Sequence, residues 1–310
     1  MKFGVLGNAK IARDQLIPAI QQAEYSLVHI GTRNTQILPD DAYEDRVKVG
    51  RYEDVLNNDE VEAVYIPLPN HLHAEWSIRA LNAGKHVLCE KPMALSLSEI
   101  DAVEAAALAN NRYFYEAFMV RSHPQWSWLK QLDIGAALHV STTFSYPPRP
   151  DGNVRNYAFM GGGPVLDIAC YTVLSGMMIF ESEPRLLSCD MQMEPNLNVE
   201  KTMNALLDFG EGRRLSMQVS SAMALSQTVH LTSKKGWGRL DTPFNPEEVA
   251  TASWGLGELG EGKKVVFEPC NQYALMLNDF VNSCQNNIKP EFTTSKRICS
   301  LLQQILAFRT

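Results

Sequence analysis

The sequence predicts an α/β domain built on a doubly wound parallel sheet, followed by an α+β domain with a mostly antiparallel, open-faced sheet. Three observations carry that expectation. Over the first ~120 residues short apolar runs alternate with helical patterns, as parallel strands and their crossovers do. After Gly161-Gly-Gly-Pro164 and one helix, strand-like runs follow one another with only turns between them, which implies antiparallel pairing. And the run His86-Val-Leu-Cys-Glu-Lys-Pro92 ends an apolar strand in an acid, a base and a proline. A chain of 310 residues can bury two cores. The expected division is a first domain over 1–121, a second over 122–291, and a terminal helix over 292–310 that packs back on the first.

Composition narrows the function. The chain is 45% hydrophobic and 20% charged, as soluble globular proteins are. Net charge is −7 with no basic block, which argues against nucleic acid or an anionic membrane as partner. Six cysteines stand singly with no Cys-x-x-Cys pair, so neither a zinc knuckle nor a disulfide framework is expected, and a reducing cytoplasm fits. No membrane span is expected, because no apolar run approaches ~20 residues. The chain opens directly into a strand at Lys2, without a signal-peptide pattern.

Taken in order, a strand over 2–6 leads into Gly7-Asn-Ala-Lys-Ile-Ala12 and an apolar helical pattern that Pro18 should break. This is the place for the dinucleotide fingerprint G-x-G-x-x-G/A. Gly7 supplies the first glycine, Ala9 replaces the second, and Ala12 suits the third, where a helix packs closely on its strand. The second strand, 26–31, ends in Gly31-Thr32-Arg33-Asn34. An NAD site would place an acid there for the ribose 2′-hydroxyl; Arg33 instead suits a 2′-phosphate, with Thr32 and Asn34 as neutral donors, and so favours NADP(H).

Residues 39–50 read as a polar loop with a little helix, 52–57 as a short helix, and 61–67 as a strand leaving through Pro67-Leu-Pro-Asn-His-Leu-His73. Asn70 is placed to cap a helix over 72–83 that Gly84 closes. The strand ending at the acid–base–proline run should carry on to Lys91, because Pro92 biases Lys91 towards extended backbone. Ser96 and Glu99 have capping-box spacing ahead of a helix over 100–109. Lys91 thus stands at the carboxyl end of a strand, the edge where open α/β sheets bind ligands. A further strand is expected over 112–117, a helix over 126–132, strands over 138–146, 185–193, 202–209, 214–221, 228–233, 238–241 and 263–268, and helices over 165–179, 271–286 and 294–308.

The helix after the glycine triplet carries Asp167 and Tyr171 four apart, on one face otherwise made of Val165, Ile168, Val173 and Leu174. A carboxylate there is costly to bury unpaired. Together with Lys91 it gives a lysine–aspartate–tyrosine set suited to hydride-transfer chemistry, in which the cofactor handles the hydride and the protein the proton. Lysine and tyrosine both titrate near ~10 unperturbed, and an ammonium beside a phenol lowers the phenol's pKa. Lys91 and Tyr171 are therefore acid/base candidates and Asp167 their positioner. Which of the first two transfers the proton is open from sequence. His71 and His73 have chelating spacing, but no third ligand accompanies them, so no metal is expected.

These motifs, namely Glu90-Lys91-Pro92, Pro69-Asn-His-Leu-His73, Glu116-Ala-Phe-Met119 with His123-Pro-Gln125, and Gly161-Gly-Gly163 leading to Asp167-Ile-Ala-Cys-Tyr171, resemble the glucose–fructose oxidoreductase / inositol dehydrogenase / rhizopine-catabolism (Gfo/Idh/MocA) family along essentially the whole chain. The resemblance implies a Rossmann first domain and a catalytic role for Lys91 at the nicotinamide. Many members have His four after the aspartate. Tyr171 is similar instead to the branch of glucose–fructose oxidoreductase, dimeric dihydrodiol dehydrogenases and NADP xylose dehydrogenases, which implies NADP(H). Arg155 resembles that branch's arginine before the glycine triplet and is expected in the substrate cleft with Lys91, Asp167 and Tyr171. The residues expected at the cofactor are Gly7, Asn8, Ala9, Lys10, Ile11, Thr32, Arg33, Asn34, Pro67, Leu68, Asn70, His73, Glu90 and Lys91. The resemblance also implies a homodimer through the open sheet face.

The function expected is NADP(H)-dependent hydride transfer to or from a CH–OH/C=O group of a small-molecule sugar, cyclic polyol or related diol. The alternatives are an NADP(H)-binding sensor without turnover, which would not need Lys91, Asp167 and Tyr171 together, and a reductase of a non-sugar carbonyl, which would differ by an apolar cleft.

Overall fold

The computed structural model describes residues 1–34, 47–246, 249–257 and 262–309. The chain forms two units, one of 1–122 with 271–296 and one of 123–270 with the residues from 297 on.

In the first unit the apolar runs become β1 (Lys2–Leu6), β2 (Ser26–Gly31), β3 (Lys48–Gly50), β4 (Ala63–Ile66), β5 (His86–Cys89) and β6 (Phe114–Glu116), in the order β3-β2-β1-β4-β5-β6 with every pairing parallel. Phe3, Val5, Leu6, Val64, Tyr65, Ile66, Val87 and Leu88 are fully buried, as befits strands covered on both faces. Chain order reverses between β1 and β4, so their carboxyl ends frame the crevice of a doubly wound sheet. Residues 48–50 are a strand rather than loop, paired with His29–Gly31; the rest of the loop expectation, 39–46, lies outside the described residues.

Pro18 does interrupt the first helix. Residues 12–16 make a wide π-turn, and α1 (Ile17–Gln22) then starts so that Pro18 takes a first-turn position, where no N–H partner is required. The short α2 (Tyr52–Leu56) follows. A 3₁₀ turn, Asn70–Leu72, precedes α3 (His73–Asn82), and the cap positions fall on Pro69 and Leu72 rather than Asn70. In α4 (Leu97–Ala109) the capping box forms: Glu99 N–H donates to Ser96 Oγ, and Ser96 N–H to Glu99 Oε2, each at 3.2 Å. β5 stops at Cys89, short of Lys91. Glu90 N–H still donates to Ile66 O at 3.1 Å, and the Lys91–Pro92 peptide is cis.

The second unit contains α5 (Pro124–Lys130), β7 (Ala137–Ser145), a π-turn Val165–Ala169 continuing into α6 (Cys170–Phe180), and β8 (Arg185–Met193), β9 (Glu200–Asp208), β10 (Arg214–Ser220), β11 (Ser226–Ser233), β12 (Gly236–Leu240), β13 (Thr251–Leu256) and β14 (Lys263–Val266). The sheet order is β14-β13-β12-β11-β7-β10-β9-β8, antiparallel except for the parallel β7/β10 pair. β13 is absent from the sequence expectation. Its Thr-Ala-Ser-Trp-Gly-Leu has too few β-branched residues to announce a strand. One sheet face packs on α6, where Phe180 meets Phe209 at 4.8 Å and Gly176 leaves room for the same ring. On the other face Ser141, Thr143, Asn204, Ser216 and Gln218 border a shallow cavity of about 410 Å³. One apolar run is longer than the sequence reading allowed: by length and composition Ala158–Phe180 could cross a membrane, and 83% of its most apolar stretch is buried inside the protein.

α7 (Gln272–Gln285), expected in the second domain, belongs to the first unit. The ring of its buried Phe280 lies tilted against those of Phe3 (6.1 Å) and Tyr113 (5.9 Å), and Tyr25 Oη donates to Asn278 Oδ1. The terminal helix α8 (Thr293–Leu306) does not belong wholly to the first unit either. Lys296 pairs with Asp101 (2.8 Å) and Glu104 (2.6 Å) there, whereas Arg297 pairs with Glu183 and Arg309 with Glu200, both in the second unit.

Candidate functional site

In the first unit the expected residues collect at the carboxyl edge of the sheet. Gly7 follows β1 with φ +115°, and its N–H donates to Gly31 O at 2.8 Å. A Cβ there would stand 3.1 Å from Leu68 Cδ2, so only glycine lets this turn lie against the exit of β4. Ala12 is buried, the close helix–strand contact that the third fingerprint position requires. Arg13 holds the Asn8 backbone carbonyl and reaches Asn8 Oδ1 at 3.1 Å; the exposed Lys10 is paired with Asp14, and Ala9 O accepts the Ala12 and Arg13 N–H groups. Ile11 is half-buried.

At the end of β2, Thr32 N–H donates to Gly50 O, and Thr32 Oγ1 accepts from Asn34 N–H at 3.3 Å. Arg33 is exposed beside the Tyr52 hydroxyl; burial raises that phenol's pKa and the guanidinium opposes the rise. With no acid among the described residues that end β2, Gly31 to Asn34, an exposed guanidinium and neutral donors match a phosphate better than a ribose hydroxyl pair.

Pro67 and Leu68 are buried at the exit of β4, and Asn70 is half-buried. His73 is corrected by the structure. Its ring is enclosed, with Nδ1 2.7 Å from Pro92 O and Nε2 2.7 Å from Leu68 O, so it ties the exits of β4 and β5 together and offers no free nitrogen to a ligand. Burial pulls its pKa down to about 4 against the pull of the two carbonyls. Glu90 Oε1 accepts from Tyr65 Oη at 2.7 Å. Lys91 is half-buried just past that anchor. Close by, Glu116 has its carboxyl pKa raised by burial, against which the Ser295 hydroxyl, the Met93 N–H and the charges of Arg121 and Lys91 act. Among the described residues no three His, Cys, Asp or Glu side chains converge as a metal site.

In the second unit the glycine triplet has the tight geometry its composition suggests. Gly161 and Gly163 have φ +75° and +97°, and a Cβ on Gly162 would strike the Arg155 carbonyl at 2.5 Å. The π-turn that follows presents Asp167, 8% exposed, whose Oδ2 accepts from Arg155 Nε at 2.6 Å. The buried carboxylate that the sequence left without a partner is therefore paired with the arginine expected beside it. Tyr171 is buried with its ring 5.9 Å from Phe144 and 5.6 Å from Phe244, which stack on each other at 5.0 Å. Lys91 belongs to the first unit; Arg155, Asp167 and Tyr171 belong to the second.

Sequence reasoning missed three neighbours of this group. Tyr146 is buried, and its phenol pKa is raised by burial and then by the Asp167 charge; Arg149 lies 4.8 Å over its ring. Phe244 lies in a loop of no periodic pattern. Glu200 is a strand-initial acid that is fully buried. Of these only the Tyr146-Pro-Pro-Arg149 cluster gave a local signal, as a proline-rich interruption after a strand.

Comparison with known proteins agrees with this layout. The profile of an oxidoreductase family with an NAD-binding Rossmann fold matches residues 1–118, and that of the GFO/IDH/MocA C-terminal domain matches 127–239. The chain is 30% identical over 299 residues to a D-xylose 1-dehydrogenase (NADP(+)) of Haloferax volcanii, covering 94% of this chain and 91% of the relative. It is 31% identical to a dTDP-3,4-didehydro-2,6-dideoxy-alpha-D-glucose 3-reductase of Actinomadura kijaniata, covering 94% and 89%. Among solved structures it resembles KijD10, a 3-ketoreductase from Actinomadura kijaniata in complex with NADP and TDP-benzene, with a TM-score of 0.92, 26% identity, and coverage of 99% and 97%. With both of its domains matched and a relative 30% identical along nearly its whole length, the chain belongs to the Gfo/Idh/MocA oxidoreductase family.

Proposed function

We propose that the protein is an NADP(H)-dependent oxidoreductase that interconverts a CH–OH and a C=O group on a sugar, cyclic polyol or related diol. The observation that carries this is the edge of the first unit. There a glycine turn fit for a pyrophosphate, an acid-free β2 tip with Arg33, and Lys91 past β5 line the same side of one parallel sheet. The first unit holds the cofactor and the second the substrate. The NADP-dependent xylose dehydrogenase and the NADP complex of the 3-ketoreductase support both cofactor and substrate class.

NADP(H), when bound, supplies or accepts the hydride at its nicotinamide. Gly7 to Ile11 cradle the pyrophosphate on backbone N–H groups, and Thr32, Arg33 and Asn34 hold the ribose phosphate. Pro67, Leu68, Asn70 and Glu90 shape the wall nearer the nicotinamide, with His73 fixing that wall from behind. Lys91 gives a proton to the substrate oxygen in reduction and takes it back in oxidation. Tyr171, in the second unit, is the other acid/base candidate. Asp167, held by Arg155, orients the substrate hydroxyl, and the Phe144–Phe244 stack keeps the phenol from bulk water.

The test is absorbance at 340 nm with aldoses, inositols, dicarbonyls and trans-diols, NADP(H) and NAD(H) in parallel. Turnover with one class and NADP(H) is expected. Tight NADPH binding with no turnover across the panel would replace the enzyme with a sensor. An Arg33→Ser variant is expected to bind NADPH roughly tenfold to a hundredfold more weakly, the worth of a charge-assisted hydrogen bond, with NADH affinity unchanged. Equal losses for both cofactors in a fluorescence titration would remove Arg33 from phosphate recognition.

The open sheet face of the second unit, where polar residues such as Ser141, Asn204 and Gln218 line a shallow cavity together with Leu206 and Met217, supports a homodimer formed through it. Six cysteines, none of them in a disulfide, fit a cytoplasmic site of action. Analytical ultracentrifugation showing a monomer at micromolar concentration would overturn the dimer.

A further inference from the structure

We infer that Glu200 and Arg309 form a latch that positions the Asp167–Tyr171 helix, making both of them positioning residues for the proposed reaction. The inference rests on the catalytic roles proposed for Asp167 and Tyr171. Glu200 opens β9 and is 0% exposed, an unusual place for a carboxylate. Its two oxygens are divided. Oε1 accepts from Val165 N–H at 2.8 Å, and Oε2 accepts from Arg309 Nε at 2.8 Å and lies 2.6 Å from another nitrogen of the same guanidinium.

Val165 is the first residue of the π-turn that carries Asp167, and its N–H is one of the leading amides that a helical segment cannot satisfy by itself. The carboxylate is therefore the external acceptor that fixes where this helix begins. The fit is close: a Cβ on Gly163 would lie 2.4 Å from Glu200 Oε1, and Gly163 O in turn accepts Asp167 N–H at 3.0 Å. Arg309 also reaches Gly162 O at 3.4 Å. The path from Arg309 to Asp167 runs through the ion pair to Glu200, the hydrogen bond from Val165 N–H and then two residues of backbone in the turn, and neither Glu200 nor Arg309 belongs to the set that meets the substrate. Without Arg309, Glu200 would be an unpaired buried charge. It would take in water or a proton and loosen the turn it holds.

The experiment compares wild type with Arg309→Met, Arg309→Lys, Glu200→Gln and the double variant Glu200→Gln/Arg309→Met, all loaded with NADPH. Two readouts are taken: amide hydrogen exchange by mass spectrometry, and steady-state kinetics on the best substrate of the panel. Arg309→Met should speed exchange selectively over 162–171 and lower kcat about tenfold or more, with NADPH affinity kept. Arg309→Lys should restore most of both. The double variant should behave like Glu200→Gln alone, because Arg309 acts through Glu200. It also removes both charges, which keeps the test usable if Arg309→Met folds poorly. Unchanged exchange over 162–171 in a folded Arg309→Met protein would overturn the latch. So would acceleration spread evenly through the second unit, or failure of lysine to rescue. The exchange readout needs no turnover. A latch signature in a protein inactive on the whole panel would refute the proposed chemistry and leave the latch standing.

Discussion

A Lys91→Met variant is expected to bind NADPH as wild type does and to lose about 10²–10⁴-fold in kcat, the range that a positioned general acid or base contributes. Methionine keeps the length and apolar stem of lysine and removes its charge and donors, so the half-buried position should stay filled. The local frame has several anchors besides the ammonium. β5 ends at Cys89, Glu90 is anchored on Tyr65, and the following loop is pinned through Pro92 O to His73 and through Met93 N–H to Glu116. Loss confined to kcat would therefore report chemistry rather than folding. Stopped-flow single turnover with pre-bound NADPH measures the step directly, and an unchanged rate would remove Lys91 from proton transfer. The same experiment on Tyr171→Phe separates the two acid/base candidates, since the group that moves the proton should show the larger single-turnover loss.

How much of this was legible in the sequence depended on the range over which each signal acts. The parallel sheet announced itself because strands buried on both faces must be apolar there, as β4 is throughout and β1 and β5 are past their first residues, Lys2 and His86. The capping box at Ser96 and the disturbance at Pro18 were legible because their causes lie within one turn of helix. Signals failed where an element was too short or too bland. Three residues of β3 have no period to detect, and β13 is made largely of small residues whose strand state comes from β12 and β14 beside it. His73 was placed in the expected cofactor set because its motif adjoins the sheet edge. Only the fold shows two carbonyls closing on its ring. Arg155 and Asp167 are twelve apart and could be paired by resemblance, whereas Glu200 and Arg309 are 109 apart, and nothing local links them. Polar residues that act through buried partners are what one sequence hides best, because their burial is decided by distant chain.

The glycine triplet gives the largest stability effect. Gly163→Ala is expected to destabilise the second unit by roughly 4–8 kcal/mol, comparable with the whole stability of a domain. Two costs combine. At φ +97° an L-residue is strained by about 1–3 kcal/mol. The new methyl would also sit 2.4 Å from Glu200 Oε1, and the carboxylate cannot step aside freely because Arg309 and Val165 N–H hold it. Displacing it breaks a buried ion pair, which costs about 3–5 kcal/mol when one partner is left behind. Gly152 is the internal control: it too has positive φ, +82°, but nothing lies within 4 Å of where its Cβ would be. Gly152→Ala should therefore show the backbone strain alone, about 1–3 kcal/mol. Soluble yield and thermal unfolding of the two variants side by side measure the difference. Equal melting temperatures would mean that the Glu200 carboxylate yields easily, and that the start of the Asp167 helix is set by the backbone of the triplet rather than by the acid behind it.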